Sequence, residues 1–348
     1  MKKQRFMALF ALLGVLVLIL DSETALGGAR NGIALCVQVV IPSLFPFFVL
    51  INLLNHATIM SDLSWLSPLE RLLNIPRGSA SIWLCGILGG YPTGAQLVHR
   101  AWRDQTVSED AANRMLMFCS NAGPAFLFGI IAAQFENGAV AWSIWAIHIL
   151  SSLAVARAMP VDTQERMTKK NSAPLTLSDA LKKAVSVTGQ VCGWIVLFRV
   201  VVAFCIRWFL WVFPNALQAL FICLLELANG ASFLREIENE GLRMLITTAG
   251  VNFGGLCVLM QTSSVTDGLK LSSYLKGKLM QTGIGVVLAM IAQRFLFSPS
   301  KRINIDLIWV AAVFVFVTAL TYFLRKRKIT VAFRRKPLYN LINHERKG

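Results

Sequence analysis

Charge is what this sequence has least of. Only 15% of its 348 residues are Asp, Glu, Lys or Arg, against roughly 25% in an average soluble protein. The chain is 55% hydrophobic with a mean hydropathy of +0.60. Its apolar residues gather in runs of membrane length, which points to several spans rather than one soluble core. A polar region long enough to fold alone is also missing, since residues 160–183 make only a loop and an amphipathic helix. Length alone would allow two soluble domains. One polytopic membrane domain is the expectation.

Enzyme and metal signatures are scarce too. The four histidines are scattered without metal-ligand spacing. There is no H-E-x-x-H, no Walker A lysine and no Gly-x-Ser-x-Gly elbow. The seven cysteines are odd in number, form no C-x-x-C pair and lie in apolar segments. They read as small buried hydrophobes, not as a disulfide or metal framework. No enzyme, metal or cofactor is expected. Coupling would have to come from an ion, a gradient or a partner.

Acidic residues are few, 18 against 34 basic ones, for a net charge of +16. Lys2, Lys3 and Arg5 precede the first apolar run. Arg325 to Lys328 and Arg334 to Lys336 follow the last. Basic clusters beside spans mark the cytoplasmic side, so both termini are expected there, with an even number of crossings. The tail lacks aromatic interleaving and any recognisable module, which argues against nucleic acid as a partner.

The stretch present in place of all this is Gly86-Ile-Leu-Gly-Gly-Tyr-Pro-Thr-Gly-Ala95. Helix breakers at membrane depth are tolerated only where the freed backbone is buried in protein or lines a wet cavity. Residues 79–98 therefore read as a re-entrant hairpin whose tip is Tyr91, Pro92, Thr93 and Gly94. A second candidate hairpin spans 214–234 and carries Glu226, Asn229 and Gly230, with Gly230-Ala231 echoing Gly94-Ala95. Asn121-Ala-Gly-Pro124 and Asn252-Phe-Gly-Gly255 each interrupt an apolar helix. That gives Asn121, Gly123, Pro124, Asn252, Gly254 and Gly255 as further site candidates.

The shared order of these landmarks predicts an internal repeat, about 30–158 and 178–297, followed by a last span at 305–324 and a basic cytoplasmic tail at 325–348. Paired broken helices with a binding site between them are a common transporter plan. Sequence leaves open whether the pair is inverted or parallel. Residues 6–20 resemble a signal peptide's apolar region, but a retained first span is expected because membrane segments follow at once. Pro42 and Pro46 predict a kinked or two-part helix over 33–54. Ser178 is a candidate cap for the helix that feeds 191–213.

Two charges lie inside apolar runs. Glu226 at mid-membrane would cost roughly 2.5–3.5 kcal/mol, which calls for a partner, an aqueous cavity or a bound proton. Arg199 poses the same problem with opposite sign, and is a candidate for an anionic solute, for Glu226 or for the headgroups. Arg207 and Arg294 lie near span ends, where snorkelling is the default. Asn52 and Gln261 add neutral donors and acceptors that also serve as interhelical glue.

Pro42-Ser-Leu-Phe-Pro-Phe47, Gly89-Gly-Tyr-Pro-Thr-Gly-Ala95, Ser120-Asn-Ala-Gly-Pro-Ala-Phe126 and Asn252-Phe-Gly-Gly255 resemble the YlbJ-type sporulation integral membrane proteins. These belong to the nucleoside-recognition, or Gate, group, which is related to concentrative nucleoside transporters and includes the membrane part of ferrous-iron transporters. The resemblance implies a role in endospore formation and export of dipicolinate across the outer forespore membrane. It also implies that Tyr91 to Gly94, Asn229-Gly230 and the breaks at 121–124 and 252–255 face the solute.

A permease for a small polar anion in the cell membrane or outer forespore membrane is thus the leading expectation, with lipid and a second copy or other sporulation membrane proteins as its surroundings. The alternatives are a non-transporting scaffold of a sporulation or envelope complex, and a nucleoside or metal-ion carrier.

Overall fold

Apolar segments of bilayer length become helices because a spanning chain must satisfy its backbone internally. The computed structural model describes residues 2–56, 66–73, 75–159, 167 and 176–297. The expected span at 305–324, the tail at 325–348 and most of the polar loop lie outside them. Among the described residues there is no β-strand. Five helices are long and apolar enough to cross a membrane: Ser22–Leu54, Gly138–Ala158, Leu177–Trp208, Glu240–Val265 and Leu271–Phe297.

Helix α1 (Lys2–Leu20) leads through Asp21, which caps the next helix, into α2 (Ser22–Leu35) and α3 (Ile41–His56). A π-helical turn, Cys36–Val40, joins α2 to α3 without ending the helix. Of the expected kinked or two-part helix, the structure shows one continuous span with a widened turn placed just before Pro42, and Pro46 inside α3. That turn absorbs the missing N–H group of Pro42. Ser43 donates to the carbonyls of Val39, at 2.7 Å, and Val40.

After α4 (Ser67–Leu73), Glu70 accepts hydrogen bonds from the N–H groups of Gly78 and Ala80 and so starts α5 (Ala80–Gly89). The chain breaks at Gly90–Pro92 and resumes as α6 (Thr93–Arg103). Helix α7 (Glu109–Met115), capped by Ser108, unwinds over residues 116–123. It continues as α8, Pro124–Gln134, which opens as α-helix, loosens into a π turn and closes as 3-10. Helix α9 (Gly138–Ala158) completes this half.

The second half again runs from a long helix through two short ones to an interrupted helix and a closing one. Helix α10 (Leu177–Trp208) is capped by Thr176, whose hydroxyl accepts from Asp179 N–H. Thr176 is two residues before the expected Ser178 and is the nearest hydroxyl in extended conformation. In its first three turns Ala184 and Thr188 are buried while Leu181 and Val185 face outward. Helices α11 (Asn215–Leu225) and α12 (Leu227–Leu234) break at Glu226, inside the expected 214–234 hairpin. Helices α13 (Glu240–Phe253) and α14 (Gly255–Val265) meet at Gly254, a left-handed glycine, and α15 (Leu271–Phe297) follows.

Packing brings the two halves face to face. The α2–α3 span lies along α10, and α9 lies along α15. Each second hairpin arm reaches the broken helix of the other half: α6 packs on α14, and α12 on α8. Many large apolar side chains of α1–α3, α10 and α11 point outward, as a lipid-facing surface requires.

Candidate functional site

Close backbone approach is what builds the centre. The unwound 116–123 segment lies against Gly86, Gly94 and Gly277. A Cβ added at Gly94 would stand 1.9 Å from the Cys119 carbonyl oxygen, and one at Gly277 2.1 Å from that of Met117. In the other half Gly230 presses on Cys223 of α11 and so closes its own hairpin, while Gly250 and Gly255 of the interrupted helix meet Cys223 from the other side. Gly94 thus brings the first hairpin against the unwound segment, and in the second half Gly250 and Gly255 make the corresponding approach. Gly90 and Gly123 also touch, so the first hairpin break and the first helix break are in contact.

Between these breaks lies a cavity of about 50 Å³, lined by Gly90, Tyr91, Gly123, Glu226 and Gln261, with α3 and α10 closing its apolar side. A site of that size holds a few waters or a small ion, since a water needs about 10–15 Å³ measured this way. Glu226 is 3% exposed. Its two carboxylate oxygens accept from the backbone N–H groups of Ala228, at 3.0 Å, and Asn229, at 2.5 Å. It is therefore the N-cap of α12 as well as a wall of the cavity. Neither α6 nor α8, which begin at the same cavity, has a side-chain cap.

Behind the cavity a buried polar network ties the halves together. Tyr91 donates its hydroxyl to the Val251 carbonyl (3.2 Å) and accepts from Lys278 Nζ (3.2 Å). Val251 O is one of the carbonyls freed by the break at Gly254, and the tyrosine supplies the missing donor. Lys278 Nζ also donates to Gln281 Oε1 (2.7 Å). Gln281 Nε2 in turn reaches Asn121 Oδ1 (3.1 Å) and the His148 carbonyl (3.2 Å).

His148 is fixed in one form. Ala122 N–H donates to its Nε2 at 2.9 Å, so Nε2 carries no proton, and Nδ1–H faces Asn252 Oδ1 at 3.1 Å. Asn121, His148, Asn252, Lys278 and Gln281 are all fully buried.

The structure thus brings Tyr91, Asn121, Gly123, Glu226 and Asn252 of the sequence candidates to one centre. Gly254 touches the Tyr91 ring, and Gly255 meets the carbonyls of Cys223 and Leu225. Pro92 is buried beside Thr93, whose hydroxyl has no hydrogen-bond partner. Asn229 is 1% exposed at the corresponding place in α12, and its side-chain amide makes no hydrogen bond of good geometry.

Pro124 lies apart, on an open apolar groove of about 390 Å³ that it shares with Pro42, Pro46 and Phe47. Arg199 is also outside the cavity. Its guanidinium lies over the Phe233 ring, 5.9 Å from the centroid, within electrostatic reach of Glu226 but not paired with it.

Lys278, Gln281 and His148 escape the sequence reading. Lys278 follows Lys276 at the edge of an apolar run and looks like a flanking charge, yet α15 starts at Leu271 and buries it two turns in. His148, alone in an apolar helix, carried the available signal, because an ionisable residue inside a span is a functional candidate by default.

No family model matches the chain, and no solved structure matches it at significance. The sporulation integral membrane protein YlbJ of Bacillus subtilis (strain 168) is 28% identical over 166 residues, 46% of this chain and 41% of that protein. The match thus spans about two fifths of the relative's length. Five bilayer-length helices and this likeness place the chain among integral membrane proteins and support a YlbJ-type protein.

Proposed function

We propose that the chain is a membrane permease for a small polar anion, acting in sporulation, with dipicolinate leaving across the outer forespore membrane as its transport step. The observation that carries this reading is the cavity enclosed between two interrupted elements, Gly90–Tyr91 and Glu226, with the unwound Gly123 beside them. Helices α6 and α8 begin at that cavity without side-chain caps, and each N-terminus offers about half a positive charge to an anion. The cavity is smaller than an aromatic dicarboxylate. The conformation is closed, and a hairpin tip has to withdraw to admit solute.

Each half reads as one repeat: a long helix, a re-entrant hairpin, a broken span and a closing span. Each repeat makes three crossings, an odd number, so the second starts on the opposite side and the pair is inverted. Contacts at the hairpin ends support the exchange. His99 in α6 meets the Asp267 carbonyl past α14, and Arg235 past α12 meets the Ala133 carbonyl in α8.

Purified protein in proteoliposomes tests the function. Labelled dipicolinate should enter faster than into empty vesicles, and Glu226→Gln should slow it. Absence of flux from folded protein defeats the reading. One observation favours a second reading. Glu226 is the charged side chain among those lining the cavity, and a carboxylate suits a cation or a hydrogen-bond donor such as a nucleoside. Uridine or divalent iron that binds, where dipicolinate does not, would establish that alternative.

A further inference from the structure

Lys278, two turns into α15, holds an amine that is 0% exposed, and no carboxylate pairs with it among the described residues. An unpaired charge held at such a depth is costly. Its surroundings count protons. A neutral amine has two N–H donors and an ammonium three. Nζ meets two acceptors, Tyr91 Oη and Gln281 Oε1. Gln281 offers only that oxygen, because its Nε2 is itself a donor, to Asn121 and His148. The closed arrangement therefore fits the neutral amine and leaves the third proton of an ammonium with only the Tyr91 and Tyr274 rings nearby and no oxygen or nitrogen acceptor.

The ionisable groups facing Lys278 are Tyr91 from the first hairpin, Cys119 from the unwound segment, His148 from α9 and Tyr274 on its own helix. None is an acid that supplies a counter-charge at neutral pH. His148 is not free to take the proton, since Ala122 N–H occupies its Nε2. Tyr91 stands between Lys278 and the cavity, lining one and bonding the other.

We propose that Lys278 is a proton-binding site that couples protons to the solute. In the closed state it is the amine. When the Tyr91 tip withdraws and an anion enters, the amine takes one proton from water to become an ammonium, and the anion supplies the missing acceptor and counter-charge. Anion and proton are then carried together. This inference rests on the anion-permease reading above.

The test is calorimetry of dipicolinate binding to the full chain in lipid nanodiscs, in two buffers of different ionisation enthalpy. The slope gives the protons taken up, and about one per anion bound is expected. Lys278→Met and Lys278→Arg should both abolish uptake, the first by removing the amine and the second by holding a fixed charge.

Arginine keeps the experiment decisive if the methionine variant does not fold. Binding without uptake in the native chain, or uptake that persists in Lys278→Arg, overturns the inference and leaves the permease reading standing. Failure of the folded native chain to bind dipicolinate overturns both.

Discussion

Glu226 does two jobs at one position. Its oxygens satisfy two N–H groups at the start of α12, and the same carboxylate faces the cavity. The two roles separate by substitution. Glu226→Ala removes the cap and should cost about 1 kcal/mol, in the 0.5–2 range of lost N-caps, read as a lower melting temperature in detergent. Glu226→Gln keeps an acceptor oxygen and should melt closer to the native chain while still impairing flux.

Tyr91 is more exacting, because its hydroxyl both gives and receives. Tyr91→Phe leaves the Val251 carbonyl and one Lys278 proton unpartnered and should cost about 1–3 kcal/mol, again read by melting. A loss below the error of that measurement would show that the latch across the two halves is not made in solution.

At the scale of elements, the interrupted segments depend on glycines that admit no side chain. Gly94→Ala would drive a Cβ into the Cys119 carbonyl, where backbone on both sides must move. A loss of about 3 kcal/mol or more is expected. Gly189→Ala, with nothing near its Cβ, should be neutral or stabilising. Equal melting of the two variants would mean that α6 does not press on the unwound segment.

These breaks were legible in sequence because glycine and proline inside apolar runs have few other uses. The first hairpin's break lies within the expected run, and both Asn-x-Gly interruptions are real breaks. The second hairpin was read from Gly230, which is a packing contact, while the chain turns at Glu226, whose side chain rather than a glycine ends α11. The π turn before Pro42 was not legible. Proline announces a missing hydrogen bond but not whether the helix bends or widens to absorb it. Lys278 was hidden by position, since a lysine near the start of an apolar run has two destinations and only the helix start at Leu271 chooses between them.

At the scale of the whole molecule, what matters is which membrane surface each hairpin faces. His99 of α6 meets the Asp267 carbonyl past α14, and Arg235 past α12 meets the Ala133 carbonyl in α8. The inverted arrangement proposed above counts three crossings between those places, which would put the two hairpin bases at opposite membrane surfaces. Arg103 and Glu238 are exposed in the segments that follow these hairpins, and the cysteines of the described residues are buried or half-buried. An impermeant thiol reagent applied to intact non-sporulating cells that carry the protein in their cell membrane should therefore label one of Arg103→Cys and Glu238→Cys and not the other, against the background of the native chain. Opening the cells should then label both. Labelling of both from outside, or of neither until the cells are opened, would put the two hairpin bases on one side. Alternating access through two hairpins entered from opposite faces would then have no structural basis in this chain.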